Sequence, residues 1–89
     1  MRAARIVEQI KPVYTPDLQQ EGVEGTVKIE AVISRDGVLS GLNVKSSPDP
    51  RLTQIALDSL HQWRYQPVLL NGQPVEVLTT IDLNFQLSN

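Results

Sequence analysis

The side chains that most often perform chemistry are few in this sequence and lie apart from one another. His61 is the only histidine, and Tyr65 rather than a second metal ligand stands four residues later. A protein metal site needs several nitrogen, oxygen or sulfur ligands together, so a solvated position on a helix is the simpler interpretation of His61. The sequence has no cysteine, which excludes disulfides, thiol catalysis and thiolate metal ligands.

The carboxylates and serines are equally dispersed. Asp36 and Asp49 occupy predicted turn and helix-cap positions, and the other acidic residues are spread along the chain. General acid–base catalysis requires titratable groups that converge on one pocket, and the spacing favours no such pair. No serine stands in a G-x-S-x-G context, and the Gly22 and Gly25 pair lacks the Lys-Ser/Thr of a phosphate-binding loop. We therefore expect neither an enzyme nor a cofactor-binding protein.

The composition is that of one small globular domain. The chain has 89 residues, of which 40% are hydrophobic and 20% charged, and its net charge is −2. Charges of both signs are interspersed, which argues against a nucleic-acid binder and against a membrane-surface helix. The longest apolar runs fall far short of the ~20 residues that span a bilayer. Residues 1–10 are predicted to be a lead-in or linker remnant, and residues 11–89 the folded domain.

A short helix is predicted near the start of the folded region. Thr15 fits the N-cap and Pro16 the first helical position, while Gly22 fits the end of the helix. The residues before Pro12 and Pro16 are driven away from the helical region, so this stretch is extended. Three apolar residues farther upstream have helical spacing: Ile6, Val7 and Ile10.

A β-hairpin follows this helix. Residues 25–34 alternate strictly between apolar and polar side chains, which is typical of a half-buried strand. Asp36 and Gly37 supply the positive φ angles of a tight turn. Residues 38–47 return as a second strand in which Gly41 indicates a bulge. Three apolar residues of this strand are predicted to share one face: Val38, Leu42 and Val44.

A second helix and a last strand complete the pattern. Asp49 is the expected N-cap, and Pro67 is expected to end the helix. One apolar stripe runs along this helix: Leu52, Ile55, Ala56, Leu60 and Trp63. Trp63 is predicted to be its core anchor, whereas Tyr65 and Tyr14 pack at the core rim or face a partner. After a tight turn at Asn71 and Gly72, residues 75–87 alternate as a long last strand.

The order α-β-β-α-β predicts an α+β two-layer sandwich. Two helices would cover one face of a three-stranded antiparallel sheet. The last strand is either central and fully paired or an outer strand with a row of unpaired backbone groups. Because the first two strands form a tight hairpin, the third adds outside one of them, which favours an edge. An unpaired edge is a template on which another chain can add a strand.

An ordered set of motifs now carries a resemblance to a known family. The motifs are the segments 12–16 (PVYTP), 22–27 (GVEGTV), 36–37 (DG), 46–48 (SSP), 62–67 (QWRYQP) and 71–75 (NGQPV). With their spacings they resemble the C-terminal domain of TonB energy transducers, over about residues 11–87. That resemblance implies two helices on a three-stranded antiparallel sheet, in agreement with the pattern above.

The resemblance also implies a function. Proteins of this family are anchored in the inner membrane beside a motor of ExbB and ExbD type, and a Pro-rich linker leads to a periplasmic C-terminal domain. That domain binds the TonB box of TonB-dependent outer-membrane receptors as an added strand, which couples proton-motive force to active transport. No cofactor, metal or catalytic residue is implied. The implied partner-binding residues are Lys11, Pro12, Val13, Tyr14, Tyr65, Val75, Glu76, Val77, Leu78, Thr79, Thr80, Ile81, Asp82 and Leu83.

Two other functions remain open at this point. In a structural self-association module, the last strand would pair with its own copy and give a strand-exchanged homodimer without peptide binding. An enzyme of small α+β fold is a third possibility, which a pocket of converging titratable groups would support.

Overall fold

A computed structural model of the chain describes residues 5–87. Within that range the elements are β1 (Arg5–Glu8), α1 (Pro16–Gln20), β2 (Gly25–Ile33), β3 (Leu39–Ser46), α2 (Pro50–Leu60), β4 (Arg64–Gln66), β5 (Val68–Leu70), β6 (Gln73–Val75) and β7 (Val77–Phe85). All these strands pair in antiparallel fashion. Two helices and antiparallel sheets confirm the predicted α+β class. Four short strands were not predicted: β1, β4, β5 and β6. The start of the predicted lead-in, residues 1–4, and the end of the predicted domain, residues 88–89, lie outside the described residues.

The main sheet has three strands in the order β3-β2-β7. β2 is central, and its alternation is confirmed because its four inward side chains are fully buried: Val27, Ile29, Ala31 and Ile33. The β2–β7 ladder runs without a shift from the Gly25 and Phe85 pair to the Ile33 and Val77 pair. The last strand of the chain is therefore an outer strand of this sheet, as the tight hairpin predicted.

The core lies between the inward face of this sheet and the helices. One buried cluster joins residues of β2 and β7 to Leu18 of α1 and to the stripe of α2. The predicted stripe is confirmed for Leu52, Ala56, Leu60 and Trp63, and Ile55 packs at its margin. Trp63 is only 3% exposed to solvent, which confirms it as a core anchor.

Both predicted helix starts are confirmed. Thr15 is the N-cap of α1, with Pro16 in the first turn. Asp49 is the N-cap of α2, where its Oδ1 accepts a hydrogen bond of 2.7 Å from the Arg51 backbone N–H. An acceptor at this position satisfies one of the amide donors that a helix leaves unpaired at its N-terminus.

The predicted end of α2 was wrong. The helix ends at Leu60 rather than at Pro67. A tighter turn follows, in which the Trp63 N–H donates to the Leu60 carbonyl oxygen at 3.1 Å. Because this turn still directs the Trp63 side chain into the core, the apolar spacing continues beyond the last helical residue.

Strand pairing takes over directly after this turn. β4 pairs with β1, and the Tyr65 N–H donates to the Gly37 carbonyl oxygen at 2.7 Å. The backbone groups of β4 are thus satisfied by two neighbours that a local helical pattern does not reveal. For the same reason, Ile6 and Val7 lie in strand β1 despite their helical spacing.

The predicted last strand, residues 75–87, is divided in the structure. Asn71 and Gly72 have φ angles of 53° and 80° and form the predicted turn, which joins β5 to β6 in a separate two-stranded ribbon. The strand of the main sheet is β7 alone.

The predicted facing of the second strand was also wrong in part. Gly41 has a φ of 57° and lies where the pairing of β2 with β3 shifts, which confirms the predicted bulge. The extra residue reverses the alternation, so Leu39 rather than Val38 is buried at 7% exposure.

Candidate strand-docking edge

One long edge of the main sheet is open in the described chain. β7 pairs with β2 on one side, and no strand among residues 5–87 pairs with its other side. The nine residues of β7 form a regular ladder with β2, without a bulge. A regular, unpaired edge of this length presents backbone donors and acceptors to an added strand.

Backbone geometry fixes which groups face the open edge. The Ser34 N–H donates to the Val38 carbonyl oxygen at 2.8 Å across the β2–β3 hairpin. Both backbone groups of a residue in an antiparallel strand point to one side, and the side alternates along the chain. Ser34 has an even number, so the backbone groups of the even-numbered residues of β2 point toward β3. Those of the odd-numbered residues point toward β7 and bond to it, as in the Ile29 and Ile81 pair. The residues of β7 that present N–H and C=O groups at the open edge are Leu78, Thr80, Asp82 and Asn84.

The side chains of β7 divide cleanly between two environments. Ile81, Leu83 and Phe85 are buried, and Val77 and Thr79 are half-buried on the same face. The four residues whose backbone faces the open edge have exposed side chains. No lysine, arginine or proline occurs in β7. Asp82 is its one charged residue, so the strand lacks the lysine and proline that natural edge strands often use to prevent pairing.

The opposite edge of the sheet is interrupted. The pairing of β3 with β2 shifts twice, between Lys28 and Ile29 and between Glu30 and Val32. Each shift leaves an unmatched residue in β3 and bends the strand. Lys45 lies at the first irregularity and is exposed. The two edges of one sheet thus differ in regularity and in charge.

The segment before α1 meets one end of β7. The Tyr14 ring packs edge-to-face on Phe85, with 5.5 Å between the ring centroids, and its hydroxyl donates to the Val23 carbonyl oxygen. Gln19 Nε2 donates to the Tyr14 carbonyl oxygen at 2.7 Å. Loss of solvent, with a smaller effect of the nearby Glu24 charge, raises the pKa of Tyr14. The hydroxyl therefore remains a proton donor.

A second anchor holds this segment upstream. The Ile10 carbonyl oxygen accepts hydrogen bonds from Trp63 Nε1, at 2.9 Å, and from Ser59 Oγ. Ser59 is buried at 3% exposure. Between the Ile10 and Tyr14 anchors, Lys11 and Val13 remain exposed. The Ser59 contact was not predicted from the sequence, because a small polar residue within a helix is the only local signal for it.

Tyr65 occupies a different region from the other candidate residues. Its side chain is buried at 7% exposure, and its ring centroid lies 6.5 Å from that of Trp63. Burial raises the pKa of the Tyr65 hydroxyl. Through β4 its backbone lies between β1 and the Gly37 turn, rather than in the β7 ladder. Val75 ends β6 and Glu76 links it to β7, so both residues precede the open edge of β7.

Possible metal sites and membrane-spanning helices were also sought among the described residues. Among residues 5–87, no three His, Cys, Asp or Glu side chains form a possible metal site. Within the same range, no helix is both long and apolar enough to cross a membrane. The arrangement instead combines an open backbone edge with an anchored segment at one of its ends.

Comparison with known proteins agrees with this geometry. The family described as Gram-negative bacterial TonB protein C-terminal matches residues 10–87. The chain belongs to this family. Protein TonB of Vibrio cholerae serotype O1 is 31% identical over 87 residues, which cover 97% of this chain and 36% of that protein. Protein TonB of Xanthomonas campestris pv. campestris strain B100 is 28% identical, covering 86% of this chain and 35% of that protein.

A solved structure extends the comparison to the fold. The solution NMR structure of the Pseudomonas aeruginosa TonB CTD superposes with a TM-score of 0.83 at 25% sequence identity. The match covers 97% of this chain and 88% of that one. The chain spans about a third of the length of the curated TonB relatives, so it corresponds to one part of such proteins.

Proposed function

We propose that this domain is the receptor-binding end of a TonB-type energy transducer. In this proposal, β7 receives the TonB box of an outer-membrane receptor as an added strand. The observation that carries the proposal is the open edge of β7, with outward-facing backbone groups at every second residue from Leu78 to Asn84. Family membership supports the same assignment.

The anchored segment assists docking in this proposal. Lys11, Pro12 and Val13 lie between the Ile10 and Tyr14 anchors, and Val13 is 71% exposed. A peptide along β7 would meet this segment near Phe85, where Tyr14 packs. Tyr65 has a supporting role, because its buried ring packs on the Trp63 that holds Ile10.

Strand addition suits a protein that transmits force. Each interstrand hydrogen bond contributes only about 0.5–1.5 kcal/mol net. Several bonds loaded along the strand must break together, so a ladder resists pulling better than one contact. In the whole transducer, an inner-membrane anchor and an ExbB and ExbD type motor would supply the pull from the periplasmic side. The domain needs no cofactor for this role.

A peptide titration followed by backbone amide shifts tests the proposal. A TonB-box-like peptide is added to the isotope-labelled domain, and we expect the largest shifts at Leu78, Thr80, Asp82 and Asn84, with smaller ones at residues 11–14. The buried odd-numbered positions of β7 serve as internal controls. Shifts confined to β3, or none from a monomeric domain, would contradict docking on β7.

Self-association is the second candidate, and the same open edge favours it. If β7 pairs with a second copy, its edge is already occupied and peptide binding requires dissociation. Sedimentation at increasing protein concentration distinguishes the two. A stable dimer without peptide-induced shifts would support the homodimer, whereas a monomer with shifts on β7 supports the transducer.

A further inference from the structure

We propose that Leu78 selects an apolar side chain in the peptide that docks on β7. The inference rests on the proposed function and concerns the chemistry of the partner at that site. Leu78 is 65% exposed, although it belongs to a strand whose other outward residues are polar. Val44, at 36%, is the other large hydrophobic residue of the described main sheet that is exposed.

The position of Leu78 in the ladder makes it accessible to an added strand. Its backbone groups face the open edge, because they alternate with those of the residues that bond to β2. A strand that adds there places one residue beside Leu78 with its side chain on the same face of the sheet. That neighbouring side chain would cover Leu78 from the open side.

The opposite side of Leu78 is already apolar. Val32 of β2 is its direct cross-strand partner and is half-buried. An apolar residue in the added strand would extend this pair into a row of three across the sheet. Thr80 instead faces Glu30, and Asp82 faces Lys28, so the next two rows are polar. On the outward face of the sheet, the Val32 and Leu78 pair is therefore the apolar one, and the next two pairs along β7 are polar.

The partner is accordingly an extended peptide with a branched or aromatic apolar residue at one register position. Isolated exposed hydrophobic residues are ordinary on protein surfaces. Leu78 differs because its backbone lies at an open edge that has no lysine, proline or bulge to prevent pairing. An apolar peptide residue beside Leu78 would complete this row and bury the exposed apolar surface of Leu78.

A peptide scan tests this inference. The probes are threonine-rich extended peptides of equal length that carry a single valine, moved one residue at a time. Bound register is read from NMR contacts between peptide and β7. We expect the peptide with valine beside Leu78 to bind about two- to fivefold more tightly than its neighbours in the scan.

The double variant L78T/T80L is the matched control. It keeps the composition of β7 and moves the apolar side chain by two residues on the same face. We expect the preferred valine position to move by two residues as well. A valine that lies at other positions along β7 as readily as beside Leu78, or an unchanged preference in the swapped variant, would overturn the inference while leaving docking on β7 intact. If none of these peptides binds to a domain that does bind a TonB-box-like peptide, only the inference about Leu78 is overturned, whereas failure of both kinds of peptide to bind would overturn docking as well.

Discussion

The two outer strands of the main sheet share the central strand β2 and differ in almost every property that governs further pairing. β7 pairs with β2 over nine consecutive residues without a shift. β3 pairs with the other side of β2 through two irregularities, and Gly41 and Lys45 lie at them. Bulges and charged residues are common devices against edge pairing. One edge is thus blocked, and the other is left open.

This difference gives the described sheet one regular unpaired edge and one irregular edge. If both edges were regular, copies could join edge to edge without limit. With a single regular edge, two copies that pair through β7 would leave only their irregular β3 edges outside, so growth would stop at two copies. Under the proposed function, the contrast between β7 and β3 would decide which edge of the sheet receives the peptide.

The largest change in stability is expected at Gly37, in the turn that joins β2 to β3. Gly37 has a φ of 86°, and a Cβ added there would lie 2.0 Å from the Tyr65 carbonyl oxygen. We expect Gly37→Ala to lower the free energy of unfolding by at least about 2 kcal/mol, through strain and overpacking. Denaturant unfolding measures this change.

The ribbon turn supplies the control for that prediction. Gly72 has a similar φ of 80°, but a Cβ there would meet nothing within 4 Å. Gly72→Ala should therefore cost only about 1 kcal/mol, from backbone strain alone. If both variants lose the same free energy of unfolding, the close approach of Gly37 to the Tyr65 carbonyl oxygen in β4 does not contribute to the loss.

The second effect concerns peptide binding at the open edge. Thr80→Pro removes a backbone donor that faces outward, and prolines are tolerated at such edge positions. We expect affinity for a TonB-box-like peptide to fall about tenfold, the equivalent of one interstrand hydrogen bond at about 1.4 kcal/mol. Isothermal titration calorimetry measures the affinity.

Val44→Pro is the matched variant on the blocked edge. Val44 pairs with Ile29, whose backbone bonds to β7, so the Val44 N–H faces away from β2. This variant should retain peptide affinity. If both proline variants lose affinity equally, the peptide does not distinguish the two edges.

A smaller effect is expected when the blocked edge is made regular. Deletion of Gly41 leaves Leu39 and Leu42 two positions apart, so both would still face the core. The variant should fold, and its straightened β3 should show peptide-induced amide shifts that the parent lacks. Chemical-shift mapping checks this. A deletion variant with shifts on β7 alone would show that the remaining irregularity, at Lys45, suffices to block β3.

The smallest effect is expected from the charges that join the two helices. Arg51 contacts Glu21 at 2.9 Å and Asp49 at 3.0 Å. The Arg51 side chain, with its backbone N–H, holds the pKa of Asp49 below its usual range. A lowered folded-state pKa stabilises the fold above the ordinary aspartate value of about 3.9, and this contribution is lost as pH falls through the lower folded value.

Asp49→Asn tests that pH dependence. An amide still accepts the capping hydrogen bond but does not titrate, so the stability of the variant should vary less with pH in this acidic range. Thermal unfolding between neutral and acidic pH measures the difference. Identical profiles for the variant and the parent would remove Asp49 as a source of acid sensitivity, and peptide affinity at neutral pH should not change.

Local patterns predicted the main elements because their causes are local. The alternation of β2, the Asp49 cap and the Asn71 and Gly72 turn each depend on residues close in sequence. The short strands β1 and β4 were missed because their pairing joins residues about sixty positions apart, such as Arg5 and Gln66. The end of α2 was misplaced for a related reason, since apolar spacing continued to Trp63 beyond the helix.

Residue order alone was enough to predict which faces of β2 and α2 are buried, where the hairpin turns lie and that the last strand adds outside the hairpin. The folded chain was needed to show which side of β2 receives β7, which backbone groups remain open and how Ile10 and Tyr14 anchor the segment between them. Periodicity records which side chains avoid water, whereas the pairing of distant strands depends on register and bulges that appear only when the strands meet.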